Sequence, residues 1–292
     1  MNDAVNEATP ARETRDTADR TPRNGPRARP LVRKRWWPAD GAIIVHRNLL
    51  ALRRNPSVIA ASLAAPLGMV AMFGYVFGNA LSDGSATDYR RELIPAVFVL
   101  VAATGAVMTA GSTAMDAQNG VTERLKSLPM RRIAVPFGLA GSQLILSVVS
   151  LTAMALLGLA VGWRVEDGAL SALAGFLLLL LFGYGLTWAG VFLGLAIRTM
   201  ETIQQLAPLV FAFVMLSNAF VPTTGMPTVL RTLAEWNPFS AAISAARLLF
   251  GNAPVPEGPL PLAHPVLTTV IWSVALIMLF APLTARHFAK AE

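Results

Sequence analysis

The chain has 292 residues, of which 54% are hydrophobic and only 14% charged, well under the ~25% charged residues of soluble domains. It carries no cysteine, and its three histidines, His46, His264 and His287, are far apart. That excludes disulfides, cysteine nucleophiles and the usual zinc helices, so neither a metal site nor a catalytic residue is expected. The net charge of +7 is concentrated in the N-terminal segment and short loops, a pattern of membrane orientation with no nucleic-acid partner implied.

Residues 1–35 are rich in Arg, Thr, Ala, Pro and acidic residues and hold no apolar stretch. Such a segment buries too little surface to offset its chain entropy and is expected to be disordered. No apolar run occurs before residue 57, so no signal peptide is expected and the tail is placed in the cytoplasm. Residues 36–56 begin at Trp36-Trp37, offer Asp40 as an N-cap and end at Pro56. Apolar residues at 43, 44, 45, 49, 50 and 52 beside basic ones at 47, 53 and 54 predict an amphipathic helix on the cytoplasmic leaflet. The alternative is a plain basic segment next to the membrane.

The remaining region, 57–292, contains six apolar segments: Ser57–Phe77, Leu93–Ala114, Val135–Val161, Ala169–Ile197, Leu206–Val221 and Pro265–Ala285. Each is near the ~20 residues a helix needs to cross ~30 Å of hydrocarbon. The fold class is therefore an all-α membrane protein with six transmembrane helices. With the N-terminus inside, the cytoplasmic pieces hold 19 of the 24 Lys and Arg, so both termini are expected in the cytoplasm.

Between the second and third spans lies the polar stretch Asn119-Gly-Val-Thr-Glu-Arg-Leu-Lys-Ser-Leu-Pro-Met-Arg-Arg132. Thr122, Glu123, Arg124 and Leu125 open a segment long enough for two helical turns. Leu128 falls beside Leu125 at i, i+3, and Pro129 ends the pattern. Such a helix can seat apolar side chains in a partner's groove; a solvated turn is the alternative.

After the fifth span, Pro222, Pro227 and Pro238 cut the long segment 222–264 into pieces. Short helices near Thr228–Trp236 and Ser240–Leu249 fit that punctuation, and their apolar character beside a short span suggests re-entry into the outer leaflet. Pro254 to Pro265 is expected as an extended connector. Gly74–Gly78, Gly158–Gly162 and Gly190–Gly194 are small-residue pairs suited to close helix packing. Gln143, Gln204, Gln205 and Asn218 are polar groups that either bond between helices or line a path.

The spans contain no Asp, Glu, Lys or Arg away from their ends, which argues against an ion-coupled carrier. No Gly-x-x-x-x-Gly-Lys-Ser/Thr loop is present either, so an active pump would have to borrow its motor.

The 119–132 stretch resembles the cytoplasmic loop between spans two and three of the ABC type-two exporter permeases, with Glu123, Arg124, Leu125 and Pro129 at matching positions. Phe220, Pro222, Met226, Pro227, Leu230, Asn237, Pro238 and Arg247 are similar to that family's segment after the fifth span. The likeness covers about residues 36–290. It implies that residues 116–130 form a coupling helix, with Thr122, Glu123, Arg124, Leu125, Leu128 and Pro129 touching an ABC ATPase. It also implies that 36–56 is a connecting helix and that Phe220, Pro222, Met226, Pro227, Asn237 and Pro238 belong to a re-entrant outer segment.

The partners so implied are two copies of the ATPase subunit, a second permease copy (homodimer, with heterodimer as the alternative) and the lipids of the plasma membrane. The chain itself would bind no cofactor, ATP and Mg residing on the partner, and would be a non-catalytic subunit. Uncharged spans suit export of a hydrophobic or amphipathic small molecule, such as a drug or lipid-like natural product. Lipid-linked glycans, or an ATP-independent carrier or channel, are the alternatives.

Overall fold

A computed structural model of the chain describes residues 45–46, 50, 56–72, 86–122, 124, 134–219, 225–253 and 260–290. The described elements are all helical: α1 (Pro56–Ala71), α2 (Ala86–Gln118), α3 (Ala134–Ala160), α4 (Gly168–Ile197), α5 (Met200–Met215), α6 (Thr228–Glu235), α7 (Pro238–Leu249), α8 (Leu260–Ala263) and α9 (Pro265–Lys290). Four of them, α2, α3, α4 and α9, are long and apolar enough to cross a membrane; they coincide with the second, third, fourth and sixth expected spans. α1 covers the start of the first, and residues 73–77 lie outside the described residues, as does most of the 36–56 segment. Val45, His46 and Leu50 are helical within it.

The helix nearest the expected fifth span is displaced from that position. Leu206–Val221 is expected, whereas the helix runs from Met200 to Met215. At its start, α4 ends on Arg198, which adopts a left-handed conformation (φ 57°) and returns its N–H to the Gly194 carbonyl. Thr199 is extended, its hydroxyl 2.8 Å from that of Thr202. The chain therefore reverses in two residues, and the polar run after it, rich in good helix formers, joins α5. Apolar content alone could not reveal that extension. At its far end, side chains capture the final carbonyls and stop the helix early.

Helix directions alternate. α2 and α4 run parallel, Gly183, Gly190 and Gly194 of α4 lying in turn beside Ala102, Ala106 and Ala110 of α2. α9 runs parallel to α4, with Gly185 against Ser273 and Phe192 against Phe280 and His287. α3 is antiparallel to α2, Gly158 meeting Ile94 and Gly105 meeting Gln143. α5 is antiparallel too, Met200 meeting Gly111. The start of α2, the end of α3, the end of α5 and α7 thus share one end of the bundle.

α2 is the central helix, buried without interruption from Leu93 to Ala103. Close approach of α4 depends on glycine: a Cβ at Gly190 or Gly194 would overlap the Ala106 or Ala110 carbonyl oxygen, the small-xxx-small geometry of packed membrane helices. Gly158–Gly162 is not such a pair. Gly158 packs beside Ile94, but Gly162 (φ 97°) makes the turn after α3. Gly74–Gly78 lies outside the described residues.

Apolar side chains cover much of the exterior, among them Leu156, Leu170, Leu177, Leu267, Ile271 and Met278, a surface fit for lipid rather than water. Several hydroxyls within the apolar helices bond to their own helix, although the buried Thr113 hydroxyl has no partner among the described residues. Thr109 donates to the Gly105 carbonyl and Thr187 to that of Gly183, both at 2.8 Å, so neither is left unpaired where water is absent.

Candidate functional site

The polar stretch after α2 begins with a sharp redirection. Asn119 and Gly120 extend the last turn of α2 by hydrogen bonds to Met115 and Ala117, and Gly120 then takes φ 68°. This left-handed residue just past a helix end is the usual glycine stop. A new helical turn starts at once: Val121, Thr122 and Arg124 are helical, with the Arg124 N–H on the Gly120 carbonyl at 3.1 Å and Arg124 exposed. Glu123, Leu125, Leu128 and Pro129 lie outside the described residues. Val45 of the preceding segment reaches α3 beside Gly141.

At the opposite end of the bundle, two of the six expected re-entrant residues, Phe220 and Pro222, lie outside the described residues. Met226 is half-buried, and Pro227 precedes α6 with its carbonyl accepting from the Arg231 N–H. The short helices form where the prolines predict: α6 ends one residue before the expected boundary, and α7 starts two residues earlier because Asn237 caps it. The Asn237 carboxamide oxygen accepts from the Phe239 N–H at 2.9 Å, and Pro238 takes the first helical position. Within the connector expected at 254–265, residues 260–263 form the short helix α8.

Asn237 serves two elements. Its Nδ2 donates to the carbonyls of Phe213 (2.8 Å) and Leu216 (3.1 Å), terminal acceptors of α5. Along the same face of α7, Ser240 Oγ accepts from the Asn218 N–H at 3.1 Å and Ser244 Oγ from Asn218 Nδ2 at 2.7 Å. Arg247 completes the row. Its guanidinium donates to the carbonyls of Asn218 (3.1 Å), Ala219 (3.0 Å) and, on α2, Glu92 (2.9 Å). Residues 237, 240, 244 and 247 recur every three or four positions, the spacing of one helical face. Of the polar residues flagged from sequence, Asn218 therefore bonds between elements. Gln143 lines a small cleft between α2, α3 and α4, and Gln204 and Gln205 are exposed.

The other side of α7 is held differently. Phe250 sits in an aromatic box with Phe98, Trp163 and Phe176, ring centroids 5.0–5.8 Å apart. Gly175 leaves room for the Phe250 ring. Trp163 Nε1 donates to Asn252 Oδ1 at 2.7 Å, Ser171 Oγ to the Leu249 carbonyl at 2.7 Å, and the Glu166 N–H to the Phe250 carbonyl at 2.9 Å. An Arg91–Glu166 ion pair at 3.0 Å closes this end. Sequence reasoning missed the box, because isolated aromatics in greasy segments carry no periodic signal.

Between α2, α4 and α5 lies a cavity of about 160 Å³, bounded by residues that include Ala106, Val107, Leu193, Leu206, Val210 and Phe213, with Phe239 of α7 at its edge. Its lining is apolar throughout. It can hold a hydrocarbon fragment, but it offers no polar group for chemistry.

Comparison with known proteins accords with this architecture. The chain is 30% identical over 254 residues to the daunorubicin resistance ABC transporter permease protein DrrB1 of Streptomyces coeruleorubidus, covering 86% of this chain and 87% of that one. It is 27% identical over 213 residues to the putative transport permease ycf38 of Porphyra purpurea, covering 72% and 73%. A family match to ABC-2 type transporter spans residues 41–250. The chain thus belongs to the ABC-2 type transporter family and is a multi-pass membrane permease subunit of an ABC transporter.

Proposed function

We propose that this permease exports hydrophobic or amphipathic small molecules, driven by a separate ATPase. The observation that carries the cargo class is the wholly apolar cavity between α2, α4 and α5. It favours ligands bound by burial, worth ~25 cal/mol per Å², over ligands that need hydrogen bonds. The similarity to a permease named for daunorubicin resistance points the same way.

In this reading six spans cross the plasma membrane with both termini in the cytoplasm, and two permease copies pair with two ATPase subunits. α1 and α5, at 16 residues each, are the two shorter crossings. The turn after Gly120 starts the coupling helix, and the 36–56 segment supplies the connecting helix; Val45 within it meets Gly141 of α3. Hydrolysis on the partner pushes this end of the bundle, and the movement reaches the opposite end through α2 and α3, which run its full length.

The test is ATP-dependent uptake of a lipophilic fluorescent dye into inverted membrane vesicles holding the chain and a co-encoded ATPase. Glu123→Ala and Arg124→Ala are expected to leave membrane insertion intact while reducing ATPase co-purification and dye uptake at least tenfold. Equal uptake with and without the ATPase would refute the pump; normal co-purification and uptake in both variants would refute the coupling role.

A further inference from the structure

The geometry points to α5 as a gate leaf, latched shut by the polar face of α7 and most of all by Arg247. This rests on the transport reading above and adds a moving part and its fastening.

The first support is the weak packing of α5. Among residues 200–215 only Ile203, near one end, and Val214, near the other, are buried. The 160 Å³ cavity borders its middle, where Leu206 and Val210 are only partly buried against the core. Pro208 lies inside the helix; it has no N–H to give the preceding turn, so this is where α5 bends most easily.

The second support is the contrast between the two sides of α7. Toward α2 and α4, α7 and the turn after it are fixed by interlocked rings and buried apolar surface: Phe250 and Ile243 are fully buried and Ala242 nearly so. Toward α5, the fastening is a row of hydrogen bonds from Asn237, Ser240, Ser244 and Arg247. Interdigitated packing parts only with loss of many contacts at once. A row of hydrogen bonds can exchange partners with water at small net cost. When the bundle is strained, the α5–α7 seam parts before the α7–frame seam does.

Arg247 is the keystone because its planar fork spans three backbone acceptors at once. Two lie on the turn that ends α5 and the third, Glu92, on the central helix α2. Neither a hydroxyl nor a single ammonium could bridge the three in that geometry. Releasing it frees the end of α5 from α2 and α7 together and opens the apolar cavity toward that end. Arg247 is thus a positioning residue for the transport cycle.

The absence of cysteine from the chain makes the test clean. Ala219→Cys introduces a reporter under Arg247 at a position only 3% exposed, and Ala242→Cys one in the α7–frame seam, 1% exposed. Each is followed by maleimide labelling of the full chain, assembled with its ATPase in nanodiscs so that both faces meet the reagent. In the nucleotide-free complex, Arg247→Gln is expected to raise the labelling rate at 219 about tenfold, the effect of one lost charge-assisted hydrogen bond, and to leave 242 unchanged. Arg247→Lys should fall between the two.

Equal rises at 219 and 242 would mean general loosening and would overturn the latch, as would no rise at 219. Should Arg247→Gln fail to assemble, Ser244→Ala removes one bond and should raise labelling at 219 alone, by about threefold; no rise there overturns the proposal as well. Absence of ATP-dependent transport in the parent complex counts against the pump and leaves the labelling result at 219 to stand or fall by itself.

Discussion

Trp163 and Asn252, 89 positions apart, meet through a 2.7 Å hydrogen bond from the indole Nε1 to the carboxamide oxygen, and Asn252 passes its own Nδ2 to the Arg164 carbonyl at 3.0 Å. This bond joins the α3–α4 turn to the chain just after α7, so α7 is anchored to the frame. Asn252→Ala leaves the nearly buried indole N–H unpaired and should cost about 1–3 kcal/mol, read as a lower melting temperature in detergent. Trp163→Phe removes the donor but keeps a ring against Phe98 and Phe250. If the hydrogen bond dominates, Asn252→Ala paired with Trp163→Phe should cost less than the sum of the two single changes.

Glycine substitutions separate close packing from mere helix content. Gly190→Ala forces a methyl group into the Ala106 backbone carbonyl, which cannot move away without separating α2 from α4. A loss of several kcal/mol, or failure to fold, is expected, since overpacking typically costs 1–3 kcal/mol even against movable side chains. A Cβ at Gly68 of α1 meets nothing within 4 Å. Gly68→Ala should therefore be neutral or stabilising by up to about 1 kcal/mol. Thermal melts of the two variants side by side decide the matter.

Gly120 tests the redirection after α2 without any steric complication. Its Cβ position is open, so a substitution there meets only the left-handed backbone penalty, roughly 1–2 kcal/mol for most residues. Gly120→Asn, a residue that tolerates this conformation, should keep coupling to the ATPase. Gly120→Val should weaken co-purification of the ATPase while leaving the spans inserted. Equal behaviour of the two variants would show that the conformation at 120 does not steer the coupling segment.

Filling the apolar cavity should uncouple stability from transport. Ala189 borders it from α4, and Ala189→Leu adds apolar bulk that can be buried with a gain of about 1–2 kcal/mol. Export of a bulky lipophilic dye is nonetheless expected to fall severalfold. A variant that is more stable and transports the dye normally would remove the cavity from the cargo path.

Much of this architecture is readable in the amino-acid order, and the reasons for the exceptions are specific. Uninterrupted apolar runs announce α2, α3, α4 and α9, because a helix in hydrocarbon must satisfy its own backbone and show apolar side chains all round. The prolines and Asn237 mark the starts of α6 and α7 through local turn and cap chemistry. The start of α5 escapes detection because Glu201, Thr202, Gln204 and Gln205 interrupt the apolar run there, although the segment is helix-competent. Its end escapes because Asn237, more than twenty residues downstream, takes the carbonyls that would otherwise continue the helix.

By itself the sequence determined the class of protein, the four long apolar helices, the absence of charge within them and the two motifs that mark the polar loop after α2 and the segment after α5. These are properties of composition and short-range spacing, and hydrocarbon enforces them segment by segment. Only the tertiary structure decided that Gly190 and Gly194 are true contact points while Gly162 is a turn. It also decided that Phe98, Trp163, Phe176 and Phe250 form one box, and that Asn237, Ser240, Ser244 and Arg247 face the end of α5. Each of these joins residues distant in sequence, and which distant residues meet depends on how α2, α4 and α5 pack, a relation that no local pattern encodes.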